Sequence, residues 1–258
     1  MEQNIMRNGF SLVELSIVLV ILGLLTGGIL AGQSLIRASE LRSVSTEYDH
    51  ISAALYTFKD NYFALPGDMR NATDYWGIAA GSTGDDATCR AASGAGTTTC
   101  NGDGNGTIAG GGNEMYRVWE HLANADLIEG SYTGIAGSGG SNDHDPGVNA
   151  MRSKVNQSGW GMRNFDSTDF AGVVFLYDYG NVLLLGGDTT TLPIGDIMTN
   201  EEAWNIDTKI DDGLPGQGNL LAFDHVNCSL AANTSDYNAA YDLADSGTHC
   251  ALIFRADF

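Results

Sequence analysis

From Leu15 to Ile36 the chain carries no charged side chain, and this uncharged run constrains the fold more than any other feature. As a helix it is long enough to cross a hydrocarbon core, which takes about 20 residues rising about 1.5 Å each. One membrane span is expected over about residues 15–36. Glu14 sits at its edge, where an ionised carboxylate is costly and asks for a cationic partner from elsewhere.

The residues leading into the span read Gly9-Phe10-Ser11-Leu12-Val13-Glu14. Together with the apolar helix behind them they resemble the prepilin family, in which a dedicated membrane peptidase cuts after the Gly and methylates the new N-terminal Phe. The resemblance implies a leader over residues 1–9, processing between Gly9 and Phe10, and a free amine on Phe10 that Glu14 of a neighbouring subunit attracts. It further implies a structural subunit of a type IV pilus or a type II secretion pseudopilus. Its partners would be copies of itself or other pilins, the prepilin peptidase/methyltransferase and membrane lipid. The implied location is the inner membrane, single-pass, with the head extracytoplasmic.

Two features depart from the family pattern. The leader has Arg7 as its one base and also carries Glu2, whereas Arg37 and Arg42 lie beyond the span. A positive-inside count therefore does not favour the expected orientation, which rests on the resemblance and the cysteines. Ala31 stands where many major pilins have a helix-kinking Pro, so a straighter helix is expected, with Gly23, Gly27, Gly28 and Gly32 allowing neighbouring helices to approach. A signal anchor with an incidental Glu is the plainer alternative. A cleaved secretory signal fits less well, because its apolar core would run about 7–15 residues and end at small residues.

Beyond the span, Leu41, Val44, Tyr48, Ile51, Leu55 and Phe58 recur at spacings of three and four, the stripe of an amphipathic helix. The helix is expected to continue over residues 10–62, roughly 75–80 Å at 1.5 Å per residue. Residues 63–258 are then enough for one extracytoplasmic globular head with its own core. The fold class expected is α+β and pilin-like, a long N-terminal transmembrane and amphipathic helix packed on a head with an antiparallel sheet and long Gly-rich loops.

The chain has 32 acidic against 12 basic residues, net −20, which repels phosphate backbones and speaks against nucleic-acid binding. An acidic surface keeps the head soluble and suits divalent cations. Four cysteines in a region placed outside the cytoplasm suggest two disulfides. Cys89 and Cys100 bracket a Gly/Thr/Ala loop, and Cys228 and Cys250 bracket an Asn/Asp-rich segment that resembles the disulfide-bounded segment of many pilin heads. Three connectivities are formally open. The absence of any Cys-x-x-Cys argues against a zinc-thiolate site.

In the head, Asn113 is expected to cap a helix through Met115, Val118, Trp119 and Leu122 to Leu127, ending at Gly130. Residues 173–177 and 181–185 flank Asp178-Tyr179-Gly180 and read as a hairpin. Thr199 and Glu202 form a capping box opening a short helix, and residues 251–254 read as a final strand. Gly-rich loops are expected over residues 77–113 and 130–164. Tyr62 to Met69 marks the exit from the long helix, because Pro66 disfavours helix at Leu65. That segment reads as a structural hinge.

Asn101-Gly102-Asp103-Gly104-Asn105-Gly106-Thr107-Ile108 places oxygen side chains at alternate positions around a turn-forming Gly, the first half of an EF-hand-type loop. The twelfth position is Gly112 and the nearest carboxylate is Glu114, so a bidentate ligand would need a lengthened loop. Ca²⁺ held by Asn101, Asp103, Asn105 and Glu114 is the expectation, set against a Gly/Asn turn tied down by Cys100. Asp207, Asp211 and Asp212 form a second acidic cluster at a predicted helix end, where carboxylates oppose the helix dipole. Lys209 or a cation would compensate. The five histidines are scattered, with no His-Glu-x-x-His, Gly-x-Ser-x-Gly or phosphate-binding Gly loop, and no catalytic residue is expected. A structural subunit is the first reading. A membrane-anchored calcium-dependent binding protein that does not polymerise is the alternative, and an anchored hydrolase ranks far lower.

Overall fold

The computed structural model describes residues 11–85, 89, 98–110, 114–156, 158–166 and 168–255. It divides into two compact units, Met1–Glu40 and Leu41–Phe258. Helix α1, Leu12–Tyr62, begins in the first and ends in the second. It is followed by a globular part with an antiparallel sheet, an α+β arrangement.

In the first unit the apolar side chains of α1 point outward all round. Leu12 is 87 %, Leu24 73 % and Leu35 72 % exposed among the described residues. The same helix changes character after Leu41. Val44, Ile51, Ala54, Leu55 and Phe58 are buried, and Leu41 and Tyr48 pack partly buried against the same core. Glu47 is buried among them. Its carboxylate accepts hydrogen bonds from Ser153 Oγ at 2.7 Å, Lys154 N at 3.1 Å and Trp160 Nε1 at 2.8 Å. Tyr48 stacks on Phe254 at 4.8 Å.

The short helix α2, Ala72–Trp76, and helix α3, Glu114–Asn124, come next in the chain. The sheet has the order β1-β2-β3-β7-β5, with β1 Met151–Arg152, β2 Gly159–Asp166, β3 Asp178–Gly186, β5 Leu220–Ala222 and β7 Leu252–Arg255, every pair antiparallel. A second, two-stranded ribbon pairs β4, Met198–Thr199, with β6, Thr248–Cys250. At the centre, Val182 to Leu185 of β3 are all buried, so this strand faces core on both sides.

Three expectations are corrected here. The hairpin partner of β3 is β2, not residues 173–177, with Trp160 opposite Leu185 and Met162 opposite Leu183. Residues 173–177 instead bond to the 225–234 segment, through His225 N to Val173 O and Leu176 N to Thr234 O, both 2.9 Å. Strand β2 lies inside a region read as Gly-rich loop. Its glycines mark close packing: a Cβ on Gly159 would come within 2.7 Å of Pro146, and one on Gly161 within 2.9 Å of Pro193. Helix α3 also stops before Leu127. Asp126 takes the left-handed conformation (φ 56°), Asp126 N bonds to Ala123 O and Leu127 N to Leu122 O, each at 3.0 Å, which closes the helix in a Schellman turn. Asn113 lies outside the described residues. Helix α4, Asn200–Ile210, starts with Thr199 and Glu202 in a full capping box.

Candidate functional site

Chemistry-bearing residues gather at the start of α1 in the first unit and in two acidic clusters in the second. In the first, Gly9 and Phe10 lie outside the described residues. Ser11 opens α1. Its Oγ accepts from Val13 N at 3.2 Å, its carbonyl accepts from Leu15 N at 3.2 Å, and its own N–H donates to Glu14 Oε2 at 2.9 Å. This is a reciprocal cap of the Ser-x-x-Glu type, with the hydroxyl reaching the second helical N–H rather than the third. The signal stands in the sequence at the same spacing as Thr199 and Glu202. Behind it, α1 is long and apolar enough to cross a membrane. A Cβ built on Gly23, Gly27, Gly28 or Gly32 meets nothing within 4 Å, so these positions are open to close approach by another helix.

In the second unit, Asp103 and Glu114 come together with a third carboxylate, Asp68, from the exit of α1. Oxygens of all three lie within 4.8 Å of one another. Glu114 opens α3 and is buried, with Asp103 N donating to Oε1 at 3.1 Å and Ala109 N to Oε2 at 2.8 Å. Asp68 is also buried, taking Asn105 N at 3.0 Å and Gly106 N at 2.8 Å. Burial pushes the Glu114 carboxyl up to about 7 despite those two N–H donors, and the Asp68 carboxyl is raised for the same reason. Arg70 Nε donates to the Asp103 carbonyl at 2.6 Å. Asn101 and Asn105 direct their side-chain oxygens elsewhere: Asn101 Oδ1 accepts from Thr73 N at 2.9 Å, and Asn105 Oδ1 from Thr107 N at 2.7 Å. A Cβ on Gly102 would overlap the Asp68 backbone, so the loop closes against the α1 exit only with Gly there. Asp68 was legible only as part of a hinge, because nothing in the local sequence says which loop folds over it.

Neighbouring groups hold this loop in place. Cys89 and Cys100 are disulfide-bonded, Cα–Cα 6.2 Å, as are Cys228 and Cys250, Cα–Cα 5.2 Å. His121 is fully buried, and burial followed by the Arg117 charge pushes its pKa down to about 3. The neutral ring accepts Gly67 N–H on Nδ1 at 2.9 Å and reaches the Cys100 carbonyl from Nε2 at 3.2 Å. The second acidic cluster, Asp207, Asp211 and Asp212, also converges. Asp207 accepts from Tyr241 OH at 2.8 Å and Gly213 N at 3.1 Å. Asp211 Oδ2 takes Leu220 N at 3.0 Å, and Asp212 Oδ1 takes Leu214 N at 2.8 Å.

Comparison with protein families finds the prokaryotic N-terminal methylation motif over residues 5–30. No curated protein and no solved structure matches the chain. The matched residues take in Gly9, Phe10, the Ser11–Glu14 cap and most of the exposed apolar helix. The chain carries the type IV prepilin-like signal, which with the apolar helix supports a pilin- or pseudopilin-like protein and fits a membrane anchor.

Proposed function

We propose that this protein is a structural subunit of a type IV pilus or a type II secretion pseudopilus. The motif implies processing by a prepilin peptidase and assembly with other pilins. In this reading the cut falls between Gly9 and Phe10 in the inner membrane, the globular part lies outside the cytoplasm, and mature subunits polymerise through α1. The observation that carries it is the apolar surface of α1, exposed around its whole circumference and lying largely within the methylation motif. A surface of that kind is stable only when covered by lipid or by other helices. Glu14 pairs with the Phe10 amine of the next subunit and sets the axial register. The motif suggests a structural protein rather than an enzyme. The test is the mass of the N-terminal peptide from cells that hold the peptidase, together with the yield of sheared filaments. N-methylated Phe10 and filaments that vanish in Glu14→Ala are expected; an intact Met1 would defeat the reading.

Within the same protein we propose a Ca²⁺ site at Asp68, Asp103 and Glu114, completed by loop carbonyls, since three hard carboxylate donors suit that ion and it takes 6–8 oxygens. Their convergence supports the calcium-dependent binding reading, with or without polymerisation. The full chain in detergent micelles should then melt several degrees higher in Ca²⁺ than in chelator, and Asp68→Asn should abolish the difference. Equal melting in both buffers would remove calcium from the account.

A further inference from the structure

We infer that a cleft between the second half of α1 and β1 binds a small organic anion, one that carries a phosphate or carboxylate group on an apolar body. The site lies wholly within the unit Leu41–Phe258 and does not depend on the assembly reading. Its volume is about 550 Å³, inside the range of about 300–1,000 Å³ that small-molecule sites occupy. To it α1 contributes Glu47 and His50, and β1 with the residues after it contributes Arg152 and Lys154.

Charge sets one half of the ligand's chemistry. In a chain with 12 basic residues against 32 acidic ones, Arg152, Lys154 and His50 share this one cleft. Among the described residues neither the Lys154 ammonium nor the His50 ring has a hydrogen-bond or ion-pair partner. Arg152 is held in place. Its Nη2 donates to the Pro146 carbonyl at 2.7 Å, and it lies against Gly147 (φ 88°), where a Cβ would come within 3.2 Å of its Nε. The neighbouring carboxylates do not take up these cations. Both Glu47 oxygens are occupied, by Ser153 Oγ and Trp160 Nε1 on one and Lys154 N on the other, and Glu129, also in the cleft, is exposed. Arg152 also borders a second cleft with Asp145, Asp188 and Asp196, and among the described residues it forms no ion pair with them.

Apolar surface sets the other half. Ile128 and Tyr132, both buried, and the half-buried Met151 line the same cleft as the cations. Tyr132 OH donates to the Glu129 carbonyl at 3.2 Å, which closes the loop that carries Ile128. A phosphate or carboxylate takes charge-assisted hydrogen bonds from Arg and Lys. An apolar body lying over Ile128, Tyr132 and Met151 excludes water from those bonds and so strengthens them.

Equilibrium dialysis of phenyl phosphate against the full chain in detergent micelles tests this, with empty micelles as the blank. One equivalent should bind saturably. Lys154→Gln, which breaks no side-chain contact among the described residues, should melt like the parent yet bind about tenfold more weakly. Arg152→Gln should weaken binding as well, but it also frees the Pro146 carbonyl, so Lys154→Gln decides. Inorganic phosphate and phenol should each bind about tenfold more weakly than phenyl phosphate, since each offers half of what the cleft recognises. Absence of saturable binding overturns the inference, as does undiminished binding by Lys154→Gln. Phenol binding as tightly as phenyl phosphate would overturn the anionic group, and inorganic phosphate doing so would overturn the apolar body.

Discussion

Asp207 is fully buried at the end of α4, and burial pushes its carboxyl up from 3.8 to about 7, against the hydrogen bonds from Tyr241 OH and Gly213 N. In the unfolded chain the same group titrates near 3.8, so between about pH 4 and pH 7 the folded state holds the extra proton. Stability therefore falls as pH rises through that window and levels off above it. Asp207→Asn preserves the Gly213 contact, and Tyr241 OH can turn to accept from the amide. That variant should lose much of the slope between pH 4 and 7 and be the more stable protein at pH 8, as thermal melts in chelator across that range would register. A parallel pH profile for both proteins would show that the carboxyl ionises without cost. The cluster to which Asp207 belongs was visible in the sequence as three aspartates, but its burial was not, since Tyr241 reaches it from a distant loop. Glu47 is a similar case. The apolar stripe of α1 was readable from spacing, whereas a carboxylate inside the stripe makes sense only once Ser153, Lys154 and Trp160 are seen to donate to it.

Strand β2 shows how an element escapes a local reading. Gly159 and Gly161 made its segment look like loop, although Trp160, Met162 and Phe165 between and beyond them are fully buried. The glycines are there because Pro146 and Pro193 pack directly on the strand where a Cβ would stand. Gly161→Val should therefore destabilise the globular unit by about 1–3 kcal/mol through overpacking, read as a lower denaturation midpoint followed by Trp fluorescence. An unchanged midpoint would mean that the Pro193 loop yields freely. Conversely, the aromatic and β-branched run of residues 173–177 has the composition of a strand but bonds to the 225–234 segment, because β3 already has β2 on one side and β7 on the other. The start of helix α4 was readable to the residue, since its cap is wholly local. The end of α3 was not, since Asp126 can take the left-handed conformation without being Gly.

For the molecule as a whole, the net charge of −20 sets the terms of association. Copies of so acidic a chain repel one another, and salt shortens the reach of that repulsion to about 8 Å at 0.15 M. The filaments proposed above should therefore be recovered in higher yield at about 150 mM salt than at about 10 mM, measured by sedimentation of sheared material. Yields independent of salt would indicate that the acidic groups are neutralised in the contacts. The long apolar helix, its motif, the total charge and the capping of α4 were all set by composition and by spacings of a few residues. Convergence is a different matter. Asp68 meeting Asp103 and Glu114, Glu47 meeting Trp160, and β2 lying beside β3 depend on which distant segments fold against each other, and that is fixed by the joint packing of one core rather than by any local pattern.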